Sequence, residues 1–121
     1  MQPSPDAAAL LSTIAELLDD ELLAAVPGPL QHKTRVAANL CRILEREWTT
    51  GEAAAAAERA RLAELLDRPD LDTAALRAEL CTRIRAGGPE ATSHDVWEVL
   101  VAGCRDDLAI VKPGHDGWEG R

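Results

Sequence analysis

Apolar positions recur at three- and four-residue spacing through most of this 121-residue chain, and the pattern breaks only where proline or glycine intervenes. Leu10, Leu11, Ile14, Leu17, Leu18 and Leu22 predict a first helix. It starts at Ser4-Pro5-Asp6, where Ser4 or Asp6 can cap and Pro5 suits a first turn, and it stops at Pro27-Gly28-Pro29. A second helix is expected from Pro29 to Thr49. At 100° per residue, Val36, Ala37, Leu40, Cys41, Ile43, Leu44 and Trp48 share one side of it, and His32, Arg35, Asn39, Arg42 and Arg46 form a polar stripe opposite. Thr49-x-x-Glu52 has the spacing of a capping box, so a third helix is expected to begin there and to end before Pro69. Its run Ala53 to Ala57 would let a neighbouring backbone approach closely.

Asp72 is placed to cap a fourth helix, with Leu71 and Leu76 as a hydrophobic staple, Leu76, Leu80, Cys81 and Ile84 as its buried face, and Gly87-Gly88-Pro89 as its end. Thr92 or Ser93 starts a fifth, whose stripe is Val96, Trp97, Leu100, Val101, Cys104, Leu108 and Val111, and Pro113 closes it. Gly103 inside that stripe marks a close helix crossing or a bend. Residues 114–121 hold three glycines and no periodicity, which predicts a flexible tail with Trp118 exposed in it. The expected fold is therefore all-α: a compact bundle of about five antiparallel helices forming one domain over residues 1–113, with a flexible C-terminal tail over 114–121.

Composition sharpens this. The chain has 22 Ala and 17 Leu but six Val and no Phe or Tyr, which suits helices and not sheets. A net charge of −8, shared evenly between the two halves, leaves no basic arm for phosphates, so no nucleic-acid partner is expected. No apolar run reaches the ~20 residues needed to span a bilayer, so no membrane role is expected either. Cys41, Cys81 and Cys104 are odd in number and lack CxxC spacing, which argues against disulfides or zinc. Reduced thiols in a cytoplasm follow, with each cysteine packed as a small hydrophobe.

Chemistry is sparse. His32, His94 and His115 fall on different elements, and no HxxxH or ExxH occurs, so no metal or cofactor is expected. Acids such as Asp19-Asp20-Glu21 and Asp106-Asp107 are adjacent in sequence and point to different sides of a helix. The stripe His32, Arg35, Asn39, Arg42, Arg46 stands out, because guanidiniums on one face can grip a carboxylate or phosphate. Asn39 is the chain's only asparagine and is unfavourable in mid-helix. Arg42 and Arg46 are candidates for pairing with acids on a neighbouring helix. Arg83 lies four residues after Glu79, the favourable orientation for an intrahelical ion pair.

Four stretches carry a resemblance: Pro5-Asp-Ala-Ala-Ala-Leu-Leu11, His32-Lys-Thr-Arg-Val-Ala-Ala-Asn-Leu40, Glu79-Leu-Cys-Thr-Arg-Ile-Arg-Ala-Gly87 and Asp107-Leu-Ala-Ile-Val-Lys-Pro113. Together they resemble a bacterial domain-of-unknown-function family of small helical proteins, over about residues 5–113. Its members are often encoded beside acyl-CoA dehydrogenases and aminoglycoside-phosphotransferase-like kinases. The resemblance implies a polar motif of His32, Arg35, Asn39 and Arg83, and an accessory role beside such an enzyme. This chain departs from the family's Asn-Pro-aromatic close, since Val111-Lys112-Pro113 leads instead into the glycine-rich tail.

Three functions remain open at this point. The first is a non-enzymatic accessory protein bound to a kinase-like or acyl-CoA-metabolising enzyme through the polar stripe. The second is a small-molecule binder or enzyme with Arg35, Asn39 and Arg83 holding an anionic group across a cleft. The third is a structural homodimer.

Overall fold

The computed structural model describes residues 5–114, apart from the side chains of Glu90 and Thr92. The predicted tail lies outside those residues beyond Gly114, as does Ser4. Among the described residues there are four helices and no strand. Helix α1 covers 7–25 and is α-helical over Ala7–Glu16, π-helical over Leu17–Leu22 and α-helical again over Leu23–Ala25. Helix α2 is Gly28–Leu66, α3 is Thr73–Ala86 and α4 is His94–Val111, with a single 3₁₀ turn at Pro89–Thr92 before it.

Four helices stand where five were expected, because the second and third are one continuous helix of 39 residues. The Thr49 hydroxyl donates to the Glu45 carbonyl and the Thr50 hydroxyl to the Arg46 carbonyl, both at 2.8 Å. These hydroxyls bond back into the preceding turn instead of capping a new one. Gly51 costs about 1 kcal/mol relative to alanine but breaks nothing, and the alanine run after it is the best helix former there is. No backbone packs closely along that run among the described residues: Ala53, Ala55, Ala56 and Ala57 are exposed and Ala54 is half-buried.

The termini follow local chemistry. Asp6 Oδ1 accepts from the Ala9 amide at 2.9 Å, and Asp72 Oδ1 from the Ala75 amide at 2.8 Å. Ser93 Oγ accepts from the Val96 amide at 3.3 Å to start α4. Gly87 ends α3 at φ 74°, a left-handed conformation that glycine adopts without a Cβ penalty. Gly103, by contrast, marks no close crossing, since a Cβ built there meets nothing within 4 Å.

The described residues form two compact units, residues 5–52 with 110–112, and residues 53–109 with 113–114. The second unit holds the larger core. Leu62 and Leu66 from α2, Leu76 and Leu80 from α3 and Val96 from α4 are buried together, and Ala63, Leu65, Leu71 and Val99 pack around them. Leu76 is wholly buried, and Leu71 joins the same cluster, as a staple requires. The expected α3 face is narrower than its sequence pattern, because Cys81 and Ile84 are exposed. On α4 only Val96 is fully buried, while Trp97, Leu100, Cys104 and Val111 are exposed. Of the three cysteines, then, Cys41 is half-buried, and Cys81 and Cys104 are not core residues.

In the first unit the buried residues are small. Ala15 on α1 is 1% exposed and Ala38 on α2 is 0% exposed. Only Val26 and Pro27 link the two helices, and an Arg42–Asp19 ion pair joins their middles, so α2 folds back alongside α1. These two alanines mark the side that each helix turns inward, and side chains that small permit a close approach of backbones. Leu40, Leu44 and Trp48, on the apolar side of α2 that the sequence pattern gives, are about half exposed or more.

Candidate binding site

Five ion pairs, made by Arg42, Arg61, Arg68, Arg77 and Arg83, and bonds to backbone carbonyls from Arg46, Arg59 and Arg83 engage most of the arginines. In the second unit, Arg77 grips Glu58 bidentately, Nε–Oε1 2.6 Å and Nη2–Oε2 2.7 Å, and Arg61 Nη2 meets Asp106 Oδ2 at 2.8 Å. Arg59 Nη2 donates to the carbonyls of Pro69 and Leu71 at 2.9 and 3.0 Å, which ties down the α2–α3 loop. The Arg77 hydrogen bond holds the Glu58 carboxyl below its ordinary value of 4.5. Arg61 Nε is buried without a partner among the described residues.

The predicted polar stripe divides into two parts. Arg42 pairs with Asp19 on α1, as its position on a helix facing acids allows. Arg46 takes a different partner from the acid expected, donating from Nε to the Ile110 carbonyl at 2.7 Å. That carbonyl belongs to the last turn of α4, which has no basic residue of its own there. A guanidinium at a helix C-terminus satisfies an orphan carbonyl and offsets the dipole. The other three members, His32, Arg35 and Asn39, are exposed on the same side of α2, and no hydrogen bond or ion pair holds their side chains among the described residues.

Arg83 belongs to the second unit. Its Nε meets Glu79 Oε1 at 3.1 Å, the intrahelical pair expected from spacing, and its Nη2 donates to the Leu66 carbonyl at 3.4 Å. Leu66 is the last residue of α2, and Asp67 beyond it turns the chain at φ 54°. Arg83 therefore caps α2 much as Arg46 caps α4. It also lines a cleft of about 250 Å³ with Leu65, Leu66, Leu80, Ile84, Ser93 and Asp95. The cleft is mainly apolar, with the guanidinium as its cation. Nothing in the sequence pattern announced it, because its walls come from three helices.

No group of three or more His, Cys, Asp or Glu side chains is placed to hold a metal among the described residues. No helix among them is long and apolar enough to cross a membrane. Fold and site together define a small all-helical protein whose distinctive side chains are surface arginines and an exposed polar stripe. The family described as Domain of unknown function (DUF6285) matches residues 24–115, and the chain belongs to it. No curated protein and no solved structure matches the chain.

Proposed function

We propose that this chain is a non-enzymatic accessory protein that binds a partner protein through His32, Arg35 and Asn39. The observation that supports it is the division of the α2 stripe. Arg42 and Arg46 are engaged within the fold, whereas the three remaining polar side chains are exposed and uncommitted among the described residues. Side chains with no structural bond to lose are available for a carboxylate or an acidic face on another protein. A kinase-like or acyl-CoA-metabolising enzyme is the partner that the family resemblance implies, and three unpaired thiols suit a cytoplasmic setting.

Affinity purification of the tagged chain from its own host, with mass spectrometry, tests this. A stoichiometric enzyme partner should co-elute and be lost on Arg35→Ala, while the thermal midpoint of the variant stays at the wild-type value. Retention of that partner by Arg35→Ala and Asn39→Ala alike would remove the stripe from the contact.

A ligand-binding role has one observation in its favour, the apolar cleft carrying the Arg83 guanidinium. Its volume suits a small carboxylate with an apolar tail. Thermal-shift screening against short-chain fatty acids and CoA esters checks it, and a stabilisation lost on Arg83→Ala would move the function to that cleft.

A further inference from the structure

The α1–α2 hairpin leaves large apolar side chains uncovered. On α1, Leu10, Ile14 and Leu17 fall within an arc of roughly 60°, and on α2, Leu40, Leu44 and Trp48 fall within roughly 80°. Each of the six is between 45% and 59% exposed. Counted from the buried Ala15 and Ala38, Asp19 lies roughly opposite the first arc and Arg42 roughly opposite the second. The Arg42–Asp19 pair closes one side of the seam, so both apolar arcs look out from the other side and form one continuous face. The stripe that carries Arg35 and Asn39 lies on the ion-pair side, away from it.

We infer that this face is covered by a second copy of the same chain, in a twofold dimer that completes a four-helix arrangement from two hairpins. Area is the first reason. Six large side chains half exposed leave roughly 600 Å², at the upper end of the largest patch on an ordinary monomer and near the ~800 Å² that each partner gives to a standard interface. The second reason is the seam itself. A hairpin that buries alanines and exposes leucines has little core of its own, and pairing two hairpins face to face buries the leucines.

Charge is the third. In a twofold interface each patch meets its own copy, so a chain of net charge −8 can pair only where its acids are held aside. Lys33 is the single charge inside the two arcs, and Glu21 and Glu47 border them. The opposed faces therefore carry both signs, and a lysine can lay its stem along the leucines while its ammonium meets carboxylates at the rim.

The inference goes beyond the proposed accessory role and does not depend on it, because the two surfaces are different. Light scattering on the eluting full-length chain, over the micromolar range, tests it. The expected mass is about twice the 13.0 kDa of one chain, reduced to one chain by Leu40→Glu and unchanged by Arg35→Ala. Lys33→Glu, at an exposed position, should weaken dimerisation about tenfold in Kd. Circular dichroism of each variant confirms that its helices are kept. A wild-type chain of 13.0 kDa throughout overturns the dimer. A dimer that both Leu40→Glu and Lys33→Glu leave intact overturns its placement on this face.

Discussion

Arg46 on α2 donates a 2.7 Å hydrogen bond from Nε to the carbonyl of Ile110, so the last turn of α4 is capped by a residue 64 positions earlier in the chain. Cations near a helix C-terminus stabilise by about 0.3–1 kcal/mol at the surface and up to ~2 when partly buried. Arg46→Ala should therefore lower stability by about 1–2 kcal/mol, read by urea denaturation. Hydrogen exchange should quicken first in the amides of the final turn of α4. Unchanged exchange there would show that the contact does not hold the helix end.

The Glu58–Arg77 pair predicts an acid-sensitive contribution. The carboxyl is held below its ordinary value of 4.5 first by the Arg77 hydrogen bond. A carboxylate whose pKa is depressed by folding adds stability above its unfolded pKa and loses it as pH falls through the lower folded value. Stability should thus fall below about pH 4.5, and Glu58→Gln should flatten that fall. Arg77 is 60% exposed, so the coupling measured by a double-mutant cycle at neutral pH should be no more than about 1 kcal/mol.

Leu76 is the largest wholly buried side chain, and it meets leucines from α2 and α3. Leu76→Ala removes that contact and leaves a cavity, so a loss of about 3 kcal/mol is expected in equilibrium denaturation. A loss under about 1 kcal/mol would mean that the core around it collapses freely.

Gly103 gives the opposite sign. It lies within α4, and a Cβ there meets nothing within 4 Å. Gly103→Ala should raise stability by about 0.5–1 kcal/mol by lowering the entropy of the unfolded chain. A fall in the thermal midpoint would show that the glycine serves a contact after all.

The features legible in the sequence are the ones made by neighbours. Asp6, Asp72, Ser93 and Gly87 end or begin helices through groups three residues away or less, and the Glu79–Arg83 pair needs only one turn. Thr49 shows where such reasoning stops. A Thr-x-x-Glu box caps a helix only if the chain arrives in an extended conformation, and here it arrives already helical, so the hydroxyl bonds back to Glu45. Ala38 was invisible for another reason. A small residue draws no notice in a hydrophobic pattern, yet it is wholly buried while Leu40 and Leu44 are half exposed. The stripe was legible as a face, but which of its arginines the fold would use depended on Asp19 and Ile110, and spacing along α2 carries no record of either.

The position of Trp48 tests the central claim, that the hairpin presents an apolar face meant to be covered. It is 59% exposed on that face in a single chain. Acrylamide quenching should be measured on Trp97→Phe/Trp118→Phe, which keeps Trp48 alone. Shielding at micromolar concentration that disappears on dilution or in Leu40→Glu is the predicted result. Quenching at the rate of a freely exposed indole, at every concentration and in both backgrounds, would contradict the account.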